Sequence, residues 1–168
     1  MRLAQLPDDE PGIRAIDTSF ATDRVVRVAR EGLGFRLSEE AVAPPVTKSY
    51  PLDSLTESDR LFVAPRGSEI VGVAEVEIES WNRRAIVTHL YVSAPHRGRG
   101  VGRALIGALS ERARRTDARC LWLETQNVNY PAVQFYRRLG FLLCGLDETL
   151  YDPVHLPGEI ALFFAREL

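Results

Sequence analysis

The run Val92-Ser93-Ala94-Pro95-His96-Arg97-Gly98-Arg99-Gly100-Val101-Gly102-Arg103-Ala104-Leu105 constrains the fold of this chain more than any other segment. An apolar strand over residues 85–92 ends there, a glycine-rich turn follows, and a helix is expected over residues 102–115. Val101, Ala104, Leu105, Ala108, Leu109 and Ala113 keep helical spacing. Glycine lets a backbone turn tightly and approach a ligand, and the first N–H groups of a helix have no partner inside it. Together they form an anion site suited to a pyrophosphate, and Arg97, Arg99 and Arg103 add positive charge around it. A Walker A loop requires Gly-Lys-Ser/Thr, yet the one lysine is Lys48. A dinucleotide fingerprint requires a third glycine where Arg103 or Leu105 stands. What remains is Arg97-x-x-Gly100-x-Gly102, which taken alone also reads as a plain tight loop before a helix.

The rest of the chain alternates between strand and helix periodicity. A first helix is expected over residues 8–19, with Pro11 in its first turn and Ile13, Ile16 and Phe20 on one face. Strands are expected over 25–28 and 34–37, then a long polar connection over 43–59 rich in proline, aspartate and serine. A hairpin follows, with strands 61–64 and 70–79 about a turn at 65–68. In its second strand Val71, Val73, Glu75, Glu77 and Glu79 alternate with Gly72, Ala74, Val76 and Ile78, which predicts one apolar face. Residues 120–124 read as a strand covered on both faces. Residues 131–139 read as a helix with Gly140 as its left-handed C-terminal cap, and the last strands fall at 141–144 and 159–165. This order predicts an α/β (α+β) chain, a mixed central sheet flanked by helices, in a single domain over residues 1–168.

Composition narrows the function classes. Lys+Arg is 21 and Asp+Glu 23, a net charge of −2, without the sustained positive field of a nucleic-acid or polybasic membrane binder. Cys120 and Cys144 are too few for a disulfide scaffold. As residues in apolar strands they read as inert buried thiols. His89, His96 and His155 lack metal-ligand spacing, so no metal is expected. No apolar run approaches a membrane span and the N-terminus has no signal-peptide core, so a soluble cytoplasmic protein is expected.

A second constellation stands downstream, Asn129-x-x-Ala132-x-x-x-Tyr136-x-x-x-Gly140-Phe141. With Arg97-x-x-Gly100-x-Gly102 it resembles the GNAT superfamily of acetyl-CoA-dependent N-acetyltransferases, over roughly residues 60–165. A closer resemblance, over nearly the whole chain, is to streptothricin (nourseothricin) acetyltransferases. It rests on Trp81-Asn82-Arg83-Arg84, His96-Arg97-Gly98, Leu121-Trp122-Leu123-Glu124, Asn127-Val128-Asn129, Tyr136-Arg137-Arg138, Leu143-Cys144-Gly145-Leu146-Asp147 and Leu150-Tyr151-Asp152. Those enzymes inactivate streptothricins by acetylating an amine of the β-lysine portion. The resemblance implies a GNAT fold with acetyl-CoA in a cleft between two splayed parallel strands. Leu90, Tyr91 and Val92 would bind the coenzyme through their backbone. Arg97, Gly98, Arg99, Gly100, Val101, Gly102 and Arg103 would hold its pyrophosphate, and Asn129 and Tyr136 would lie near its thiol. Homodimers are common in the family, and two-fold dimers are the commonest oligomers generally.

The chemistry sets the remaining demands. An amine near neutral pH is mostly ammonium and must lose a proton before it attacks a thioester. Tyr136 matches the family's general-acid tyrosine, a role that gives about 10²–10⁴-fold; its alternative reading is a core aromatic at helical spacing. The streptothricin enzymes carry a Glu where Thr88 stands, so the base falls to Glu124 first and His89 second. The bland readings are a salt-bridged Glu and a hydrogen-bonded His. Strand alternation points Thr88 and His89 to opposite faces. Trp81, Asp147, Tyr151 and Asp152 are candidate contacts for a small cationic amine, with Glu148, Glu75, Glu77, Glu79, Asp53, Glu57 and Asp59 as further acids, most of them expected at the solvated surface. The loop at residues 52–59 is shorter and less acidic than the insert of the streptothricin enzymes. A different amine, either a small polyamine or a protein amine, is therefore an open alternative, as is a non-catalytic acyl-CoA sensor.

Overall fold

The computed structural model describes residues 1–50, 52 and 59–168. Pro51 and residues 53–58, with the candidate acids Asp53 and Glu57, lie outside the described residues. In chain order the elements are β1 (Arg2–Leu3), α1 (Glu10–Arg14), β2 (Phe20–Glu31), β3 (Gly34–Lys48), β4 (Leu61–Arg66), β5 (Glu69–Glu79), β6 (Arg84–Val92), α2 (Val101–Arg114), β7 (Cys120–Gln126), α3 (Tyr130–Arg138), β8 (Leu142–Asp147) and β9 (Ala161–Glu167). They fall into two compact units. One comprises residues 1–19, 49–123 and 166–168, the other residues 20–48 and 124–165.

In the first unit the strand order is β1-β4-β5-β6-β7. Neighbours are antiparallel except β6 and β7, which run parallel with Arg84 opposite Cys120 and Val87 opposite Leu123. The predicted hairpin forms, and Gly67 at its turn has φ 61°. The single apolar face expected for its second strand is replaced by burial of every residue from 71 to 76, Glu75 included. Helix α2 buries Leu105, Ile106, Leu109 and Ala113. It comes so close to β5 that a Cβ at Gly72 would meet Leu105 Cδ1 at 3.1 Å and Val101 Cγ1 at 3.2 Å. A second cluster, with Ile13, Ile16, Leu61, Val63 and Val73, fills the α1 side of the sheet.

The first helix stops far short of Ser19. Asp9, at its N-terminus, spends its carboxylate on Arg2 (2.6 and 2.7 Å) and on the Gln5 amide (2.7 Å). Beyond Ala15, Asp17 accepts the Ser19 amide at 2.9 Å and Thr18 donates to the Tyr50 carbonyl at 2.6 Å. Short polar side chains compete with helical backbone bonds in this way. Ile13, Ile16 and Phe20 are buried as expected, although Phe20 opens β2.

In the second unit β7 continues into the order β7-β9-β8, and β2 and β3 form a separate antiparallel ribbon. The ribbon is much longer than the two short strands expected. Its second strand runs through Pro44 and Pro45, where the turn residues predict a loop. Proline's missing N–H is tolerated on an edge strand, and a two-stranded ribbon has nothing but edges. Such a ribbon is marginal alone. Here Glu39 on β3 accepts from Tyr130 (2.6 Å), Gln134 (2.9 Å) and Arg137 (3.3 Å) on α3. Asn127, buried after β7, bonds Val26 through backbone and side chain and also takes the Ile160 amide. Gly140 closes α3 with φ 82°, as expected. The last strands begin later than expected, at Leu142 and Ala161, with Phe141 buried outside the strand. No helix among the described residues is long and apolar enough to cross a membrane.

Candidate active site

The glycine loop lies in the first unit, and conformation rather than crowding demands Gly98 and Gly100. Gly98 and Gly100 have φ 73° and 85°, while a Cβ at either would meet nothing within 4 Å. Gly100 is the N-cap of α2 and brings no side-chain acceptor, so the helix's first amides are left for an anion at the positive end of the dipole. Arg99 and Arg103 are exposed beside it. Arg97 behaves differently. Its Nε donates to the Val92 carbonyl at 2.8 Å and its Nη2 to the Asp17 carbonyl at 3.1 Å, so the guanidinium ties the loop to the end of β6. Leu90, Tyr91 and Val92 stand opposite Ala74, Val73 and Gly72 on β5. The parallel register with β7 covers residues 84–87 of β6, and the strand goes on to Val92. An anionic, extended coenzyme arm fits these features: open helix amides, bare glycine backbone and a strand end beside them.

Just before that strand end, β6 carries a bulge. Glu75 pairs with His89 and Val76 with Val87, leaving Thr88 as an extra residue. Thr88 Oγ1 donates to Glu75 Oε2 at 2.6 Å, and His89 Nε2 lies 3.7 Å from the same oxygen. The expectation that Thr88 and His89 face opposite ways therefore fails, because the bulge breaks the two-residue alternation. Glu75, expected among surface acids, is 3% exposed. The His89 ring lies 6.1 Å from that of Tyr91.

The second unit holds the other candidates. Glu124 is half-buried, and Tyr151 donates its hydroxyl to Glu124 Oε1. Burial pushes the Glu124 carboxyl above its ordinary pKa; the Tyr151 bond opposes that shift and the nearby Glu159 charge adds to it. Glu159, its side chain fully buried, is paired with Lys48. Sequence reasoning missed that pair, since residues 111 positions apart carry no local signal. Tyr136 is buried with its ring 5.7 Å from Phe141 and 6.3 Å from Phe164. Asn129 caps α3, its Oδ1 accepting the Ala132 amide at 3.3 Å. Asp147 and Asp152 spend carboxylate oxygens on turns, bonding the amides of Thr149 (2.7 Å) and Val154 (2.9 Å). The Thr149 bonds hold the Asp147 carboxyl below its ordinary range. Glu148 pairs with Arg30 at 2.5 Å. Of the four candidate acceptor contacts, Tyr151 is thus the one seen against a candidate base. Trp81, on the β5–β6 turn, is 81% exposed and is no part of the core. Cys120 is buried as expected, but Cys144, expected to be buried, is exposed like its neighbours Leu142 and Leu143 on β8. No cluster of three or more metal-type ligands occurs among the described residues.

The model of the Acetyltransferase (GNAT) family matches residues 24–141, well over half the chain. This chain belongs to the GNAT acetyltransferase family. The streptothricin acetyltransferase of Streptomyces lavendulae is 38% identical to it over 170 residues, covering 95% of this chain and 90% of that one. A solved nourseothricin acetyltransferase matches this GNAT acetyltransferase with a TM-score of 0.89 at 45% identity, covering 99% of this chain and 96% of that one. A protein described as a streptothricin acetyltransferase of Bacillus anthracis, solved in complex with acetyl coenzyme A, matches with a TM-score of 0.84 at 25% identity, covering 99% and 98%. The enzyme is therefore an N-acetyltransferase, and its mixed sheet with few helices is the GNAT fold.

Proposed function

We propose that this GNAT acetyltransferase, acting as one domain over residues 1–168, transfers the acetyl group of acetyl-CoA to the β-lysine amine of streptothricin-type antibiotics and so inactivates them. The near full-length likeness to the S. lavendulae enzyme carries the proposal. Acetyl-CoA supplies the acetyl thioester and an anionic pyrophosphate. The first amides of α2, with Gly98, Gly100, Gly102, Arg99 and Arg103, hold that anion. Arg97 holds the loop in shape through Val92 and Asp17, and the backbone of Leu90, Tyr91 and Val92 lines the coenzyme arm.

An ammonium that becomes an amide loses two protons. Glu124, with its raised proton affinity, takes the first and frees the nitrogen lone pair. His89 takes the second as the N–C bond forms. Tyr136 gives its hydroxyl proton to the sulfur as the C–S bond breaks and is reprotonated from solvent. Asn129 acts by capping the helix that carries Tyr136. Transfer is direct, within a ternary complex.

The short, weakly acidic sequence at residues 52–59 favours a second reading, acetylation of another small cationic amine. Mass spectrometry of nourseothricin after incubation with enzyme and acetyl-CoA separates the two. One acetyl group on the β-lysine supports the antibiotic reading. An unmodified antibiotic beside an acetylated polyamine in the same tube removes it.

A further inference from the structure

Glu75 is a buried acid with no role in the steps above. It sits in the middle of β5, 3% exposed, in a strand whose other residues from 71 to 76 are all apolar or glycine. Its Oε2 is engaged by Thr88 at 2.6 Å, and its Oε1 has no hydrogen-bond partner among the described residues. A buried acceptor left unpaired is a standing cost, and such groups concentrate where chemistry needs them. The surroundings point one way. The β6 bulge turns Thr88 and His89 toward the same carboxylate, and His89 Nε2 is 3.7 Å from Oε2. That separation is too long for a hydrogen bond and short enough for an ion pair between the carboxylate and a protonated imidazole. Thr88 is exposed and the His89 side chain is 17% exposed, so the buried carboxylate lies just beneath two groups that solvent or substrate can reach. The Tyr91 ring, packed against the apolar cluster of the first unit, backs the imidazole from two residues along the strand.

We infer that Glu75 is a positioning residue that holds His89 ready to accept a proton from the acceptor amine, an inference resting on the role given to His89 in the proposed function. The Nε2 edge of the ring faces the carboxylate, and the imidazole takes the proton that the nitrogen sheds as the N–C bond forms. The electron pair of the breaking C–S bond goes to sulfur, which is protonated by Tyr136. The imidazolium is neutralised by Glu75 until His89 passes its proton to water. Thr88 fixes the carboxylate by donating to Oε2, so the bulge works as one unit: hydroxyl, carboxylate, imidazole.

A merely structural Glu75 would affect folding and leave the chemistry alone, so the test is a kinetic cycle on the full chain. Glu75→Gln keeps the shape of the side chain and removes its charge. The expected result is a kcat lowered at least tenfold, with the KM values for acetyl-CoA and acceptor within about twofold of the parent. The same substitution placed on His89→Gln should lower kcat no further, because both act on one proton. Thr88→Val, at an exposed position, gives a variant that folds even if Glu75→Gln does not. It should lower kcat severalfold and lose that effect on the His89→Gln background. A kcat unchanged in both Glu75→Gln and Thr88→Val, with His89→Gln impaired, overturns the role of Glu75 and leaves the proposed function standing. A full additive loss in the double variant overturns it likewise. An unimpaired His89→Gln removes the role of His89 itself.

Discussion

Glu124 binds its proton more tightly than a solvated carboxyl because burial disfavours the charged form. A group whose folded-state pKa is raised favours the folded state below its unfolded pKa, and that contribution is lost as pH rises through the folded pKa. Glu124→Gln, which cannot ionise, should therefore melt at a higher temperature than the parent at pH 8 and at the same temperature near pH 4, read by thermal denaturation. The same substitution should lower kcat by about 10²–10⁴-fold. Tyr136→Phe should lower kcat within the same range, about 10²–10⁴-fold, while the acetyl-CoA dissociation constant, measured by calorimetry, stays unchanged. That result would also dispose of a catalytically idle acyl-CoA sensor. Single residues were legible where a local pattern surrounds them. Gly100 stands in the turn before a helix and Tyr136 within one, as the local spacing implies. Glu75 and Lys48 were not legible, for different reasons. Glu75 looked like the polar half of an alternating strand, and only the slip at Thr88 together with cover on both faces turns it into a buried acid. Lys48, at the end of β3, meets Glu159, just before β9, through contacts between segments far apart in the chain.

At the scale of elements, the junction of β6, the glycine loop and α2 was readable nearly to the residue, because glycine at positive φ and helical spacing are both local signals. Gly100→Ala tests that junction. An alanine at φ 85° costs about 1–2 kcal/mol, and the strain falls on the amides assigned to the pyrophosphate. The KM for acetyl-CoA should rise about tenfold, which is what about 1.4 kcal/mol means, with the acceptor KM unaltered in initial-rate kinetics. The ribbon of β2 and β3 was read poorly. Its prolines signal turns in a single sequence, and what holds the strand together lies elsewhere, in the Glu39 bonds to α3 and the Asn127 bonds to β2. The first helix failed in the opposite direction, its apolar spacing outlasting its backbone. Asp17, Thr18 and Ser19 hold the chain in turns where helical periodicity alone would have continued.

For the whole molecule, the nearly cancelled charge of −2 sums two local arrangements. Exposed Arg99 and Arg103 flank the start of α2, proposed to hold an anion, and Glu124 is a partly buried carboxylate proposed to take a proton from an amine. The class of the fold followed from the order of elements, with its parallel β6 and β7 among antiparallel neighbours. The acceptor did not follow, since recognition of one amine over another rests on contacts that no local pattern encodes. Direct transfer needs no thiol of the enzyme. Cys120→Ser and Cys144→Ser should keep turnover within about twofold of the parent, and initial-rate lines should intersect as for a ternary complex. The most direct measurement is release of the coenzyme thiol by purified enzyme given acetyl-CoA and nourseothricin, beside a panel of polyamines. The account predicts saturable thiol release at micromolar antibiotic, with a kcat/KM above that for every polyamine tested. No release at micromolar antibiotic, with a polyamine turned over instead, would contradict it.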